Sequence, residues 1–209
     1  MDNHDGVAES ENMRSKKMIK KSTIASAIFL MSAIVILAGF QTIVQPDHGW
    51  QKLPVTFHID SRGCDTINDS DHGVTAVVNA LTSKAAWNGA YSGMVAAIPS
   101  TNQAITGDGI PNIDFHDRSI CVGGCIAVTN PTFSASKTII DADTFINQRR
   151  DFTSHSAAGV CGGTSFYMEA IMVHETGHSL GLNHTEKPWA TMFPSGVPCM
   201  SYMESISAD

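Results

Sequence analysis

The chain has 209 residues, 43% of them hydrophobic, and a net charge of −7. That length and apolar content suffice for one globular domain with a sizeable core. The acidic balance argues against a nucleic-acid partner, which needs a basic face, and it names no substrate.

Residues 1–13 are polar, and Arg14, Lys16, Lys17, Lys20 and Lys21 then form a basic cluster. Ile24 to Phe40 is an apolar run that extends across Gln41 and Thr42 to Val44. A basic flank ahead of such a run predicts an N-terminus inside and the rest of the chain outside. The run is long for a signal-peptide core and short to adequate for a membrane-spanning helix, so cleaved signal and uncleaved anchor both stay open. Its lack of a polar face argues against a buried core helix. The organisation expected is a cytoplasmic basic segment at 1–23, a signal peptide or membrane anchor at 24–44, a linker at 45–52 containing Pro46 and Gly49, and a folded domain at 53–209.

Within that domain Val55–Ile59 alternates β-branched and aromatic residues and predicts a strand, with His58 on a strand face. Gly73 to Tyr91 predicts a helix from Val74, Val77, Val78, Leu81, Ala85 and Trp87. Asp71 is its candidate N-cap, Trp87 a core anchor and Gly89 a stop. Residues 99–112 read as loop, Ile113–His116 and Ile126–Thr129 as short strands, and Lys137–Asn147 as a longer one. After a Ser/Gly-rich loop at Phe152–Thr164, a helix apolar on most sides starts near Ser165 or Phe166 and runs to about Leu180.

That helix carries the most informative stretch, His174-Glu175-Thr176-Gly177-His178-Ser179-Leu180-Gly181-Leu182-Asn183-His184. His174 and His178 project from one helical face one turn apart and can grip one ion. Gly181 can adopt the left-handed conformation that ends a helix, after which the chain turns back and His184 can add a third ligand. Three protein ligands with an open fourth position are the pattern of a catalytic rather than a structural zinc. Glu175 is placed to act as general base on a zinc-activated water attacking a carbonyl, and then to hand the proton to a leaving nitrogen. A buried helix bearing two His and a Glu needs a compensating partner, and a metal supplies one.

The segment resembles the metzincin metallopeptidases, whose motif is H-E-x-x-H-x-x-G-x-x-H. Ala190-Thr191-Met192-Phe193-Pro194 is similar to the Met-turn of the matrixin branch, which implies that Met192 lies beneath the zinc-binding histidines. Met200-Ser201-Tyr202 is the runner-up, similar to the turn of serralysins and astacins, in which a Tyr can also approach the metal. The resemblance implies an α+β, zincin-like fold: a mixed twisted sheet over a long helix and the active-site helix. It implies a zinc endopeptidase with protein or peptide substrates, secreted or membrane-anchored with its catalytic domain outside the cytoplasm. It also implies a lower edge strand, expected within 120–135, that pairs with an extended substrate.

The five cysteines suit an exported protein. Cys121 and Cys125 could close a small loop or bind metal, Cys161 and Cys199 could staple the zinc segment, and Cys64 would be left over; spacing alone does not fix the pairing. Calcium at Asp108, Asp114, Asp141 or Asp143 is a second cofactor candidate, weighed against solvated carboxylates. The matrixin cysteine switch is not evident, since Arg62-Gly63-Cys64-Asp65 has similar residues in another order, and His116, Asp114 and Asp117 make only a short cluster where vertebrate matrixins hold a structural zinc. Ser205–Asp209 resembles the start of the matrixin closing helix, so that helix is expected to be missing or truncated. A catalytically weak zinc- and peptide-binding relative is therefore the alternative to an active peptidase, and a non-enzymatic interaction domain is the third reading. Oligomeric state is not legible.

Overall fold

A computed structural model of the chain describes residues 49–101, 104–117, 119–155 and 161–206. The basic and apolar N-terminal segments, and with them the choice between signal and anchor, lie outside the described residues. Among the described residues no helix is long and apolar enough to cross a membrane.

The sheet is built from β1 (Val55–Asp60), β2 (Val95–Ser100), β3 (Asn112–Asp114), β4 (Ala127–Phe133) and β5 (Ile139–Ile146). Their order is β2-β1-β3-β5-β4. β1, β2, β3 and β5 run parallel, whereas β4 pairs antiparallel with β5 at the outer side of the sheet. The alternation of Val55, Phe57 and Ile59 in β1 buries all three, as a strand with one face on a core requires. β5 lies between two strands and is buried almost throughout. A two-stranded parallel ribbon, β6 (Phe152–Thr153) with β7 (Phe166–Tyr167), leads into the last long helix.

Helix α1 (Val74–Thr82) and helix α3 (Met168–Ser179) supply the other side of the core. Phe57, Ile59, Val77, Leu81, Met168, Met172 and Val173 are buried in one cluster with Trp87. The single helix expected over Gly73–Tyr91 is broken: α1 ends at Thr82, and the short α2 (Trp87–Ala90) follows. Ser83 leaves the helix and its hydroxyl accepts from the Ala85 N–H, a local alternative to the helical bond that serine readily offers. Asn88 reinforces the break by bonding both the N–H and C=O of Val95. Gly89 is not a stop; a side chain there would collide with the Lys84 carbonyl. Trp87 is the anchor expected, with its indole N–H donating to Val173 O at 2.8 Å. The helix start also differs, with Gly73 as N-cap at φ 81°, while the Asp71 carboxylate bonds the Thr75 N–H.

Strand β2 falls in a stretch that pattern reading passes over. It carries Pro99, and proline is tolerated there because the strand lies at the sheet's other edge. Trp50, inside the segment expected as linker, packs on the core and donates to Ser179 O at 2.7 Å, occupying a carbonyl of the last turn of α3. α3 itself starts at Met168, later than expected, because Phe166–Tyr167 is used as strand.

Cys121–Cys125 and Cys161–Cys199 are disulfides, and Cys64 is free and buried. The first is a short-range bridge spanning 4 positions, the second spans 38 and ties the loop ahead of α3 to the segment after it. Loop-closure entropy makes the longer bridge worth about 4 kcal/mol and the shorter about 2. Replacing Cys161 and Cys199 together by Ser should therefore lower the unfolding free energy in urea about twice as much as replacing Cys121 and Cys125. Equal losses would show that the longer loop is already constrained in the unfolded chain.

Candidate metal centre and cleft

α3 presents His174 and His178 from one face, as their spacing requires, and then stops in a defined way. Gly181 N donates to His178 O and Leu182 N to Gly177 O, both at 2.9 Å, with Gly181 at φ 93°. This is the paired capping geometry in which a left-handed residue satisfies the last carbonyls. The reversal brings His184 back over the helix. His178 Nε2 then lies 3.1 Å from His174 Nε2 and 3.1 Å from His184 Nε2, and the three residues form a group able to hold a metal ion.

The protons on these rings decide what the group needs. His174 Nδ1 stands 2.6 Å from Thr191 O, and His178 Nδ1 stands 2.8 Å from Leu182 O. A carbonyl only accepts, so each Nδ1 carries the proton and each neutral ring keeps a bare lone pair at Nε2. His174 and His178 therefore point two acceptors at each other with no proton between them. A cation resolves that arrangement, and nitrogens held tetrahedrally around zinc at its usual bond length stand about 3.3 Å apart. Burial, then the neighbouring His178 and His184, holds His174 down at about 3. Burial also lowers His178 and His184. Neutral imidazole is the form that binds metal.

Glu175 is buried beside this group and its carboxylate Oε2 accepts from Thr129 Oγ1 at 2.7 Å. The Thr129 hydroxyl in turn lies 2.9 Å from Thr144 Oγ1 on β5. Burial pushes the Glu175 carboxyl up to about 7, against the Thr129 bond, which lowers it. Glu175 and the three imidazoles line one cleft of about 420 Å³. Its walls include Ala127 and Thr129 of β4, Ile171 of α3, and Phe193 and Gly196. Thr129 is the residue that sequence reading missed. A threonine in a β-rich run is ordinary, and only the sheet order brings it to Glu175.

Met192 is fully buried, and its Sδ and Cε lie against Gly177, between the two helical histidines in sequence. Thr191, which accepts from His174, precedes it, and Met192 O accepts from the Thr185 N–H. The runner-up residues lie elsewhere. Met200 packs with Ala170 and Met203 in a separate small cluster, and the Tyr202 hydroxyl donates to Pro188 O.

The aspartates weighed for calcium are mostly not solvated. Asp114, Asp141 and Asp143 are buried, and only Asp108 is exposed. Asp141 accepts from the Gly107 N–H and Asp143 from the Asn112 N–H, at 2.6 and 3.1 Å. Asp143 Oδ2 has no partner among the described residues. Burial, then the neighbouring Asp141, pushes Asp143 up to about 6. Asp117, in the short cluster with His116, is held low by Ser119.

Two outcomes test this reading. Alanine ordinarily favours a helix over glycine by about 1 kcal/mol. At Gly177 a methyl would overlap Met192 Sδ and come within 2.9 Å of Trp87 Cζ2, and overpacking of that kind costs about 1–3 kcal/mol. Gly177→Ala should thus destabilise the domain in a urea titration; a gain in stability would mean that Met192 moves aside freely. For Asp143 the folded value exceeds the unfolded one near 3.9, so the folded state holds the proton more tightly. Its stabilising contribution is present below about pH 4 and is lost as pH rises through about 6. In chelator, Asp143→Asn should raise stability at pH 7 by roughly 1–3 kcal/mol and flatten the profile between those pH values. An unchanged pH profile would rule this out.

The match to known proteins follows the same geometry. Residues 113–209 match the family model described as matrixin, Peptidase_M10. The match takes in β4, β5, α3, the three histidines and Met192, and β1, α1, α2 and β2 complete the sheet and core ahead of it. Residues 113–209 are thus similar to a matrixin domain, and the mixed five-stranded sheet with its helices fits an α+β, metzincin-like fold.

Proposed function

We propose that the protein is a zinc-dependent endopeptidase in which His174, His178 and His184 hold one zinc ion and Glu175 is the general base. The observation that carries this reading is the pair of unprotonated nitrogens of His174 and His178 at 3.1 Å, with Glu175 in the same cleft. When bound, zinc supplies a Lewis acid that polarises a carbonyl oxygen and acidifies water. Glu175 takes the proton from the water that attacks the peptide carbonyl and delivers it to the leaving nitrogen, so that the amine departs neutral. Thr129 holds Oε2 of that carboxylate and turns the group toward the cleft. Burial alone makes Glu175 a stronger base than an exposed carboxylate, and the charge of a bound zinc would offset part of that effect. Met192 fills the space below Gly177 and keeps the two helical histidines in register.

Substrates are proteins or peptides, as the family implies. Two disulfides support a location outside the cytoplasm, secreted or anchored through 24–44. Calcium at the Asp141–Asp143 region is supported by the unpartnered Asp143 Oδ2.

Cleavage of a quenched peptide should be abolished by a chelator and restored by zinc. Glu175→Gln should keep stoichiometric zinc by elemental analysis while kcat/KM falls about 10²–10⁴-fold. His184→Ala should lose zinc. Zinc bound without cleavage by the unaltered chain would instead support a zinc- and peptide-binding relative, and activity retained in Glu175→Gln would remove that residue from the mechanism.

A further inference from the structure

β4 is the outer strand beside β5 among the described residues. Its Ala127, Val128 and Thr129 line the cleft that holds the imidazoles and Glu175. Thr129 stands level with the reacting centre, since its hydroxyl touches Glu175 Oε2. An outer strand presents a row of N–H and C=O groups with which an extended chain can pair.

Which groups face outward follows from the ladder. In an antiparallel pair one residue turns both its groups to the partner strand and the next turns both away. Ile126 O accepts from the Asn147 N–H at 3.0 Å, so Ile126 faces β5. The alternation then turns Val128 and Asn130 toward Phe145 and Asp143, and Ala127, Thr129 and Pro131 toward the open edge. The 2.9 Å contact between the Thr129 and Thr144 hydroxyls fits an outward-turned pair, in which side chains approach most closely. Pro131 fits the same frame, because proline sits in a strand only where its missing N–H would face away from a neighbour. The open row therefore offers full donor and acceptor pairs at Ala127 and Thr129 and then loses its donor at Pro131. Just beyond, the ladder itself shifts register between Thr132 and Phe133.

We propose that Pro131 ends the substrate-pairing edge, so that a peptide is held by its backbone on the Gly124–Thr129 side of the scissile bond and scarcely on the other. This rests on the peptidase reading above and narrows its substrate class to extended peptides recognised mainly on one side of the cut. The favoured side is also the better built one. Gly124, Cys125 and Ile126 continue the cleft wall there, the Cys121–Cys125 bridge closes their loop, and Gly196 approaches the Ile126 side chain. A binding edge that is already ordered loses less entropy when a peptide joins it. On the far side a substrate residue meets the Pro131 ring where a hydrogen-bond donor would be.

The test is a set of quenched peptides around one cleavable bond, lengthened one residue at a time toward either end. Each backbone pairing should raise kcat/KM about 2–10-fold. The gain should continue on one side and stop on the other after the residue facing Thr129. Pro131→Ala and Pro131→Val both restore the donor, and either should raise kcat/KM by a similar factor for peptides lengthened on the stalled side. Equal gains on both sides in the unaltered protein would overturn the proposal, as would a stall that persists in both variants. If zinc-loaded protein cleaves none of the peptides, the peptidase reading falls. Fluorescence anisotropy of the same labelled peptides then decides the edge: one-sided affinity gains uphold it and symmetrical gains overturn it.

Discussion

Two imidazole nitrogens with bare lone pairs, 3.1 Å apart on rings that are buried and half-buried, are the arrangement on which the rest of this structure depends. Left without a cation it is repulsive, and the chain nevertheless enforces it from both sides. Thr191 and Leu182 take the outer protons of His174 and His178, which fixes each ring's tautomer as well as its direction. Those carbonyls belong to segments that lie well after and just after the helix. The capped end of α3 at Gly181 and the buried turn at Met192 thus exist in part to deliver two backbone oxygens to the backs of two rings.

The same economy extends to Glu175. A buried carboxylate beside neutral histidines is unfavourable as an ion, and its single hydrogen bond to Thr129 offsets only part of that burial. A divalent cation in the histidine group would favour the ionised form through its charge. Histidine group, carboxylate and sheet are therefore coupled: β4 contributes the hydroxyl that orients Glu175, and β5 contributes Thr144, which bonds that hydroxyl. The candidate site spans helix and sheet, and neither layer holds it alone.

What was legible in the sequence was local. His174, His178, Gly181 and His184 are related by helix geometry and one reversal, so spacing alone conveys their convergence. Trp87 was also readable, by its bulk within an apolar helix face, whereas Cys161–Cys199 was only one candidate pairing until the structure brought the two together. The break at Ser83 was not, because it depends on Asn88 finding Val95 across a loop. Strand β2 was hidden by Pro99, whose acceptability depends on an edge position that only the strand order defines. Asp141 and Asp143 read as solvated carboxylates, yet lie inside, where the Gly107 and Asn112 N–H groups reach them. Thr129 had no signal, since its partner is Glu175 across the cleft.

The outer strand shows how one feature serves two demands. An open row of backbone groups is a hazard for any soluble sheet, because it invites pairing with another chain. A peptidase that grips extended substrate needs such a row and cannot simply cover it. In β4 the opening is kept short: Ala127 and Thr129 are free to pair beside the reacting centre, Pro131 removes the next donor, and the ladder then changes register. A proline that confines the edge to the length of the cleft limits aggregation by the same means that it limits recognition. In the proposed pairing the sheet's outer edge and the substrate's inner edge are one surface, so that solubility and specificity would be set there together.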